Sequence, residues 1–152
     1  MKLFIIATAL ACLGCTPDTL QAKPPASAQS KKTNPNQGAS MNLSINGQTF
    51  AAEFADTKAA AEFAALLPLA LDMSDYNRNE KVATLPKTLT AADTAVKRIE
   101  AGDILLWQGN SIVVFYESFD TPYRYTRIGK ITDAAGLKAA LGAGNTAVRF
   151  SR

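Results

Sequence analysis

The sequence has no histidine and only two cysteines, Cys12 and Cys15, both of which precede Met41. From Met41 onward there is thus no Ser-His-Asp triad, no cysteine nucleophile, no internal disulfide and no zinc site built from the usual His and Cys ligands. A surplus of one charge is missing too. The 152 residues carry a formal +3, yet from Met41 onward 12 basic residues balance 12 acidic ones. The excess comes from Lys2, Lys23, Lys31 and Lys32 set against Asp18. A neutral domain has no electrostatic footprint for nucleic acid. Long apolar runs are also lacking. Leu3 to Leu13 is apolar except for Thr8, but its eleven residues fall short of the ~20 that a spanning helix needs. Carboxylates are too sparse for calcium: Asp72 and Asp75 fall far short of its roughly 6–8 oxygens. No metal or cofactor is expected. What is present is a chain of single-domain size, 47% hydrophobic and 19% charged, rich enough in apolar residues to bury a core.

The first residues read as an address. Met1-Lys2 is a short positive start, and Leu3 to Leu13 has the length of a signal-peptide h-region. Gly14-Cys15 follows, a small residue before cysteine that resembles a bacterial lipobox. Residues 1–14 are therefore expected to be a lipoprotein signal peptide and Cys15 the lipidated residue. Cys12, after Ala9-Leu10-Ala11, is a second candidate with a shorter h-region. An ordinary secretory signal is the bland alternative. Residues 15–40 read as the lipidated cysteine and a tether. Thr16 to Ser40 holds four of the seven prolines and one large aliphatic residue, Leu20. Such a segment cannot repay its ordering entropy. As a flexible coil it would span roughly 25–30 Å. A membrane partner through the lipid anchor is thus expected. The absence of Asp after Cys15 points to the outer membrane, on its periplasmic face or at the surface.

Residues 41–152 read as the folded domain. Asn46-Gly47 is a strong two-residue hairpin signal between Met41–Ile45 and Gln48–Phe54. It places Ile45 opposite Gln48, Leu43 opposite Phe50 and Met41 opposite Ala52, which gathers the apolar residues on one face. Asp56 is the expected N-cap of a helix from Thr57 to Leu67, ended by Pro68. Leu69 to Met73 and Glu80 to Leu85 read as strands. Lys87 to Lys97 has no clear assignment. Gly109-Asn110 signals a second hairpin, with Trp107 opposite Ile112 and Leu105 opposite Val114. Those two strands are apolar on both faces and should be covered on each side. Tyr123 to Ile131 is a further strand. Asp133 is the expected cap of a second helix that closes at Gly142 to Asn145, before a last strand at Thr146 to Phe150. The count is mainly β, about eight short strands and two helices. It suits a small closed barrel with helices over its ends.

This succession resembles the bacterial cyclophilin-like proteins. The similarity is carried by Leu43 to Phe50, Leu71-Asp72-Met73-Ser74, Glu80-Lys81 with Leu85-Pro86, Ala101-Gly102-Asp103-Ile104, Val114-Phe115-Tyr116 and Tyr125-Thr126-Arg127-Ile128-Gly129-Lys130-Ile131. The resemblance implies a cyclophilin-like closed β-barrel of about eight strands capped by two short helices. Cyclophilins proper are prolyl isomerases whose catalytic arginine stands in a Phe-His-Arg strand. This chain has no such triplet, so no catalytic residue is carried over, and fold likeness is no warrant for activity.

Candidate site residues gather in two places. Phe115 to Arg127 contains five of the eleven aromatics found after Met41. On a strand, Tyr123, Tyr125 and Arg127 share a face, and an aromatic face ending in a guanidinium would hold a peptide or an anionic ligand. The opposing reading makes the tyrosines core residues and pairs Arg127 with a carboxylate. Tyr76 to Glu80 is a polar loop in which Tyr76, Arg78 or Glu80 would orient a ligand. Trp107 would stack on a ligand or cover the barrel end. Asp103 reads as a turn residue accepting backbone bonds. Gly142-Ala143-Gly144-Asn145 follows a helix, so it reads as a C-cap and not a phosphate loop. The expected function is a membrane-tethered, non-catalytic binding module for a peptide or small molecule, with ligand residues Tyr76, Arg78, Trp107, Tyr123, Tyr125 and Arg127. A divergent prolyl isomerase is the alternative.

Overall fold

The computed structural model describes residues 38–152. The readings of the leader, of Cys12 and Cys15 and of nearly all the tether concern residues outside these. The first hairpin joins β1 (Ser40–Ile45) to β2 (Gln48–Phe54). Asn46 and Gly47 both take positive φ, 47° and 81°, as a type I′ turn requires. The register is the expected one, with Ile45 opposite Gln48, Leu43 opposite Phe50 and Met41 opposite Ala52. Met41, Leu43, Ile45, Phe50, Ala52 and Phe54 are all buried.

Six further long strands complete a barrel: β3 (Leu69–Tyr76), β4 (Glu80–Thr84), β7 (Asp103–Trp107), β8 (Ser111–Phe115), β10 (Arg124–Ile131) and β11 (Thr146–Ser151). Around the barrel the order is β2-β1-β11-β3-β4-β8-β7-β10, and β10 pairs back onto β2. Every neighbour is antiparallel. Closure removes the free sheet edges. The interior holds Leu43, Phe50, Met73, Ile104, Leu106, Ile112, Val114, Ile128 and Phe150. Two short helices, α1 (Lys58–Ala64) and α2 (Leu137–Leu141), bury Phe63, Leu137 and Leu141 in the same cluster. Phe63 meets the edge of Phe150 at 5.4 Å.

Several local expectations are corrected. The cap of α1 is Thr57, not Asp56: its hydroxyl accepts from the Ala60 N–H at 3.1 Å. Asp133 accepts from the Ala135 N–H in the turn before α2, and the helix begins after Gly136. The second hairpin is shifted by one residue. Gln108, Gly109 and Asn110 all lie in its loop, Trp107 faces Ser111 and Leu105 faces Val113. Gln108 takes φ 50°, which a two-residue reading around Gly109-Asn110 misses. The stretch Lys87 to Lys97 runs across the outside of the barrel. It contributes β5 (Thr94–Ala95), which pairs with β10. Beside it, β6 (Arg98–Ile99) and β9 (Phe119–Asp120) form a two-stranded ribbon.

Candidate functional site

Strands β7 and β8 are apolar on both faces, and β4 and β10 beside them add apolar side chains to each side, Ala83 and Ile128 within and Val82 and Tyr125 without. Inward residues fill the barrel. Outward residues form a second cluster in which Leu105, Val113, Phe115 and Tyr125 are buried and Val82, Trp107 and Phe119 are partly buried. The shifted hairpin creates this cluster, because it puts Trp107 and Leu105 on the side of Val113 and leaves Ile112 and Val114 inside. The ribbon of β6 and β9 covers part of this cluster through Ile99 and Phe119. The uncovered part is a groove of about 430 Å³.

Val82 and Val113 contribute apolar lining to the groove, which Trp107, Tyr123, Tyr125 and Phe119 complete on the aromatic side. Trp107 lies 5.6 Å from Tyr123 with the rings at 79°, and 5.2 Å from Tyr125 with the rings at 49°. Tyr125 meets the edge of Phe115 at 5.8 Å. Burial pushes the Tyr125 phenol up to about 12. Tyr123 is 58% exposed and Tyr76 59%, so large ring surface is in contact with water. The turn between β3 and β4 adds Tyr76, Asn77, Asn79 and Glu80. Glu80 stands opposite both Tyr76 and Phe115 in the sheet. Its carboxyl makes no hydrogen bond or ion pair among the described residues. Burial raises its pKa to about 7. The side-chain carbonyl of Asn79 is buried without a hydrogen-bond partner among the described residues. No lysine or arginine among the described residues lines the groove.

Four of the six residues expected at a ligand site, Tyr76, Trp107, Tyr123 and Tyr125, thus meet in one groove. The two arginines do not. Arg127 points outward on β10 opposite Leu105, but its guanidinium lies 3.7 Å from Asp103, where Lys130 also approaches to 3.4 Å. Asp103 is buried and accepts from the Glu100 N–H at 3.0 Å, the turn role expected for it. Arg78, with φ 58°, lines a different hollow of about 780 Å³ beside Asp75, Tyr116 and the 142–144 loop.

Under that hollow lies a feature the sequence reading missed. Lys81 points into the barrel and is wholly buried. Its Nζ donates to Asp75 Oδ2 at 2.7 Å, to the Gly142 carbonyl at 2.9 Å and to the Gly144 carbonyl at 2.5 Å. Tyr116 donates its hydroxyl to the same Asp75 oxygen at 2.7 Å. These bonds hold the Asp75 carboxyl below its ordinary pKa, the Lys81 contact first and the Tyr116 contact second. Burial pushes the Tyr116 phenol upward. All three ammonium protons are taken, so this group ties the loop after α2 to the barrel and leaves no charge to offer. Among the described residues no three His, Cys, Asp or Glu side chains converge as metal ligands, and no helix is long and apolar enough to cross a membrane.

A family model described as the cyclophilin-like family matches residues 43–151. Among solved structures, the hypothetical protein AF2241 from Archaeoglobus fulgidus is similar at 19% identity and a TM-score of 0.52, over 77% of this chain and 96% of that one. McbB, solved in complex with tryptophan, is similar at 14% identity and a TM-score of 0.55, over 74% of this chain. This chain spans less than half of McbB, 44%. At such identities the likeness concerns the fold. No curated protein matches in sequence.

Proposed function

The chain belongs to the cyclophilin-like family, and from that premise we propose that it is an envelope-tethered, non-catalytic binding module whose ligand lies in the aromatic groove on the outer face of the barrel. The observation that carries this reading is the convergence of Tyr76, Trp107, Tyr123 and Tyr125 around a space of about 430 Å³. That volume is within the range of small-molecule sites. Water-exposed rings on an apolar floor gain most when covered. The tether belongs to the same proposal. The h-region from Leu3 to Leu13 and Gly14-Cys15 would anchor the head to the outer membrane through lipid, with the residues from Thr16 up to β1 as the spacer. Prolyl isomerisation of the cyclophilin kind would need a guanidinium over the bound proline. Arg127 is directed to Asp103 and Arg78 to the second hollow, which weighs against that alternative.

The test is an NMR screen of the protein with a panel of small apolar and charged compounds and short prolyl peptides. The sole tryptophan serves as reporter. Ligands should shift the Trp107 indole and the Tyr123, Tyr125 and Glu80 signals together. Tyr123→Ala should abolish those shifts, Arg127→Ala should leave them in place, and prolyl peptides should isomerise at the background rate. Shifts confined to the hollow at the 142–144 loop, or turnover above background, would contradict the reading.

A further inference from the structure

Building on the groove as the ligand site, we infer that its ligand class is the alkylammonium cation: a quaternary or tertiary ammonium head held against the open ring surface of Trp107 and Tyr123, with Glu80 as its counter-charge. Aromatic faces carry the negative part of the ring quadrupole and attract cations, tryptophan most strongly. Here Trp107 touches both tyrosines, at 5.6 Å and 79° to Tyr123 and at 5.2 Å and 49° to Tyr125, so the three rings make one continuous aromatic wall. Glu80 supplies the formal charge, and nothing among the described residues pairs with it. A carboxyl partly withdrawn from water without a partner is costly, so the groove is left with an unmet demand for positive charge. The orphaned Asn79 carbonyl has the same polarity.

The other ligand classes fit less well. An anion would meet Glu80 with no lysine or arginine in the lining. An uncharged apolar ligand would desolvate Glu80 further and give it nothing. A primary ammonium is compact and strongly hydrated, so it gives up more hydration on meeting aromatic faces. Alkylation weakens that hydration and leaves a diffuse charge that aromatic faces satisfy. The titratable side chains around Glu80 are Tyr76 from β3, Tyr116 after β8, and Tyr123 and Tyr125 at β10. Burial raises the Tyr116 and Tyr125 phenols, so they stay neutral where Glu80 ionises. A bound cation favours the ionised Glu80. Affinity should therefore rise with pH through the Glu80 midpoint of about 7 and level off above it.

The experiment titrates the full chain with choline and with its uncharged isostere, in which carbon replaces nitrogen, and reads Trp107 fluorescence. Above the Glu80 midpoint choline should bind about tenfold more tightly than the isostere. Glu80→Gln, close in shape, should erase the pH dependence and lower that preference to the share the rings supply. Equal or tighter binding of the isostere overturns the cation inference while the groove reading stands. Silence of both probes, with other compounds in the NMR screen shifting the groove, has the same meaning. Silence of both probes together with an empty screen overturns the two readings at once. A preference for choline that Glu80→Gln leaves undiminished removes Glu80 as the counter-charge and overturns the inference as stated.

Discussion

Lys81 Nζ carries three protons and meets three acceptors, the Asp75 carboxylate and two loop carbonyls. The Glu80 carboxyl, its neighbour in β4, meets no donor among the described residues. One strand thus shows both ways a charge withdrawn from water can stand. The alternation of β4 decides which is which: odd positions enter the barrel, where the loop after α2 closes over Lys81, and even positions enter the groove. Removing a fully buried partner leaves the remaining polar atoms uncompensated, so Lys81→Ala should destabilise the protein by about 3–5 kcal/mol, read from denaturant unfolding. A loss below about 1 kcal/mol, the scale of an exposed ion pair, would mean that water satisfies Asp75 and the two carbonyls. Arg127 is the contrasting residue. Its side chain is 46% exposed, and Lys130 also reaches Asp103, so little stability rests on it.

At the scale of elements, strands with one wet face were legible in the sequence down to their register, and strands with two dry faces only as strands. β1 and β2 alternate strictly, and Asn46-Gly47 confirms the register that alternation demands. β7 and β8 have no alternation to read, because the barrel core and the outer cluster are both apolar. Only loop length fixes their register, and Gln108 in a left-handed conformation hides that length. The aromatic residues of the groove were visible as a local excess near Phe115 to Tyr125. Glu80 and Lys81 acquire their roles only when β3, β4 and β8 are laid side by side, which no local pattern shows. Gly129 is a second long-range case. β10 bulges between Arg127 and Gly129, just where it begins to pair with β2 on one side while still paired with β7 on the other. A Cβ on Gly129 would lie 2.4 Å from the Glu53 carbonyl oxygen and 2.8 Å from Met41 Cε. The first contact is backbone and cannot swing aside. Gly129→Ala should therefore strain the seam that closes the barrel and cost about 1–3 kcal/mol or more. The checks are a lowered melting temperature and faster amide exchange along β2 and β10. Unchanged exchange there would show that the seam tolerates the methyl group.

For the whole molecule, the barrel is a rigid platform with its core inside and a second apolar cluster outside. The groove is the part of that outer cluster left uncovered by the two-stranded ribbon. Stability and binding oppose each other there. A carboxyl whose folded pKa lies above its unfolded value binds more protons in the native state between the two values. Stability contributed by Glu80 is thus full below the ordinary value of 4.5 and declines as pH rises to about 7. A cation in the groove would offset that loss. The most direct test is an NMR titration of the Glu80 side-chain carboxyl in the free protein, repeated with saturating choline. The expected midpoint is near 7 in the free protein and lower when choline is bound. A midpoint at the ordinary value of 4.5, unmoved by choline, would mean that water already solvates Glu80 and that the groove holds no unmet charge.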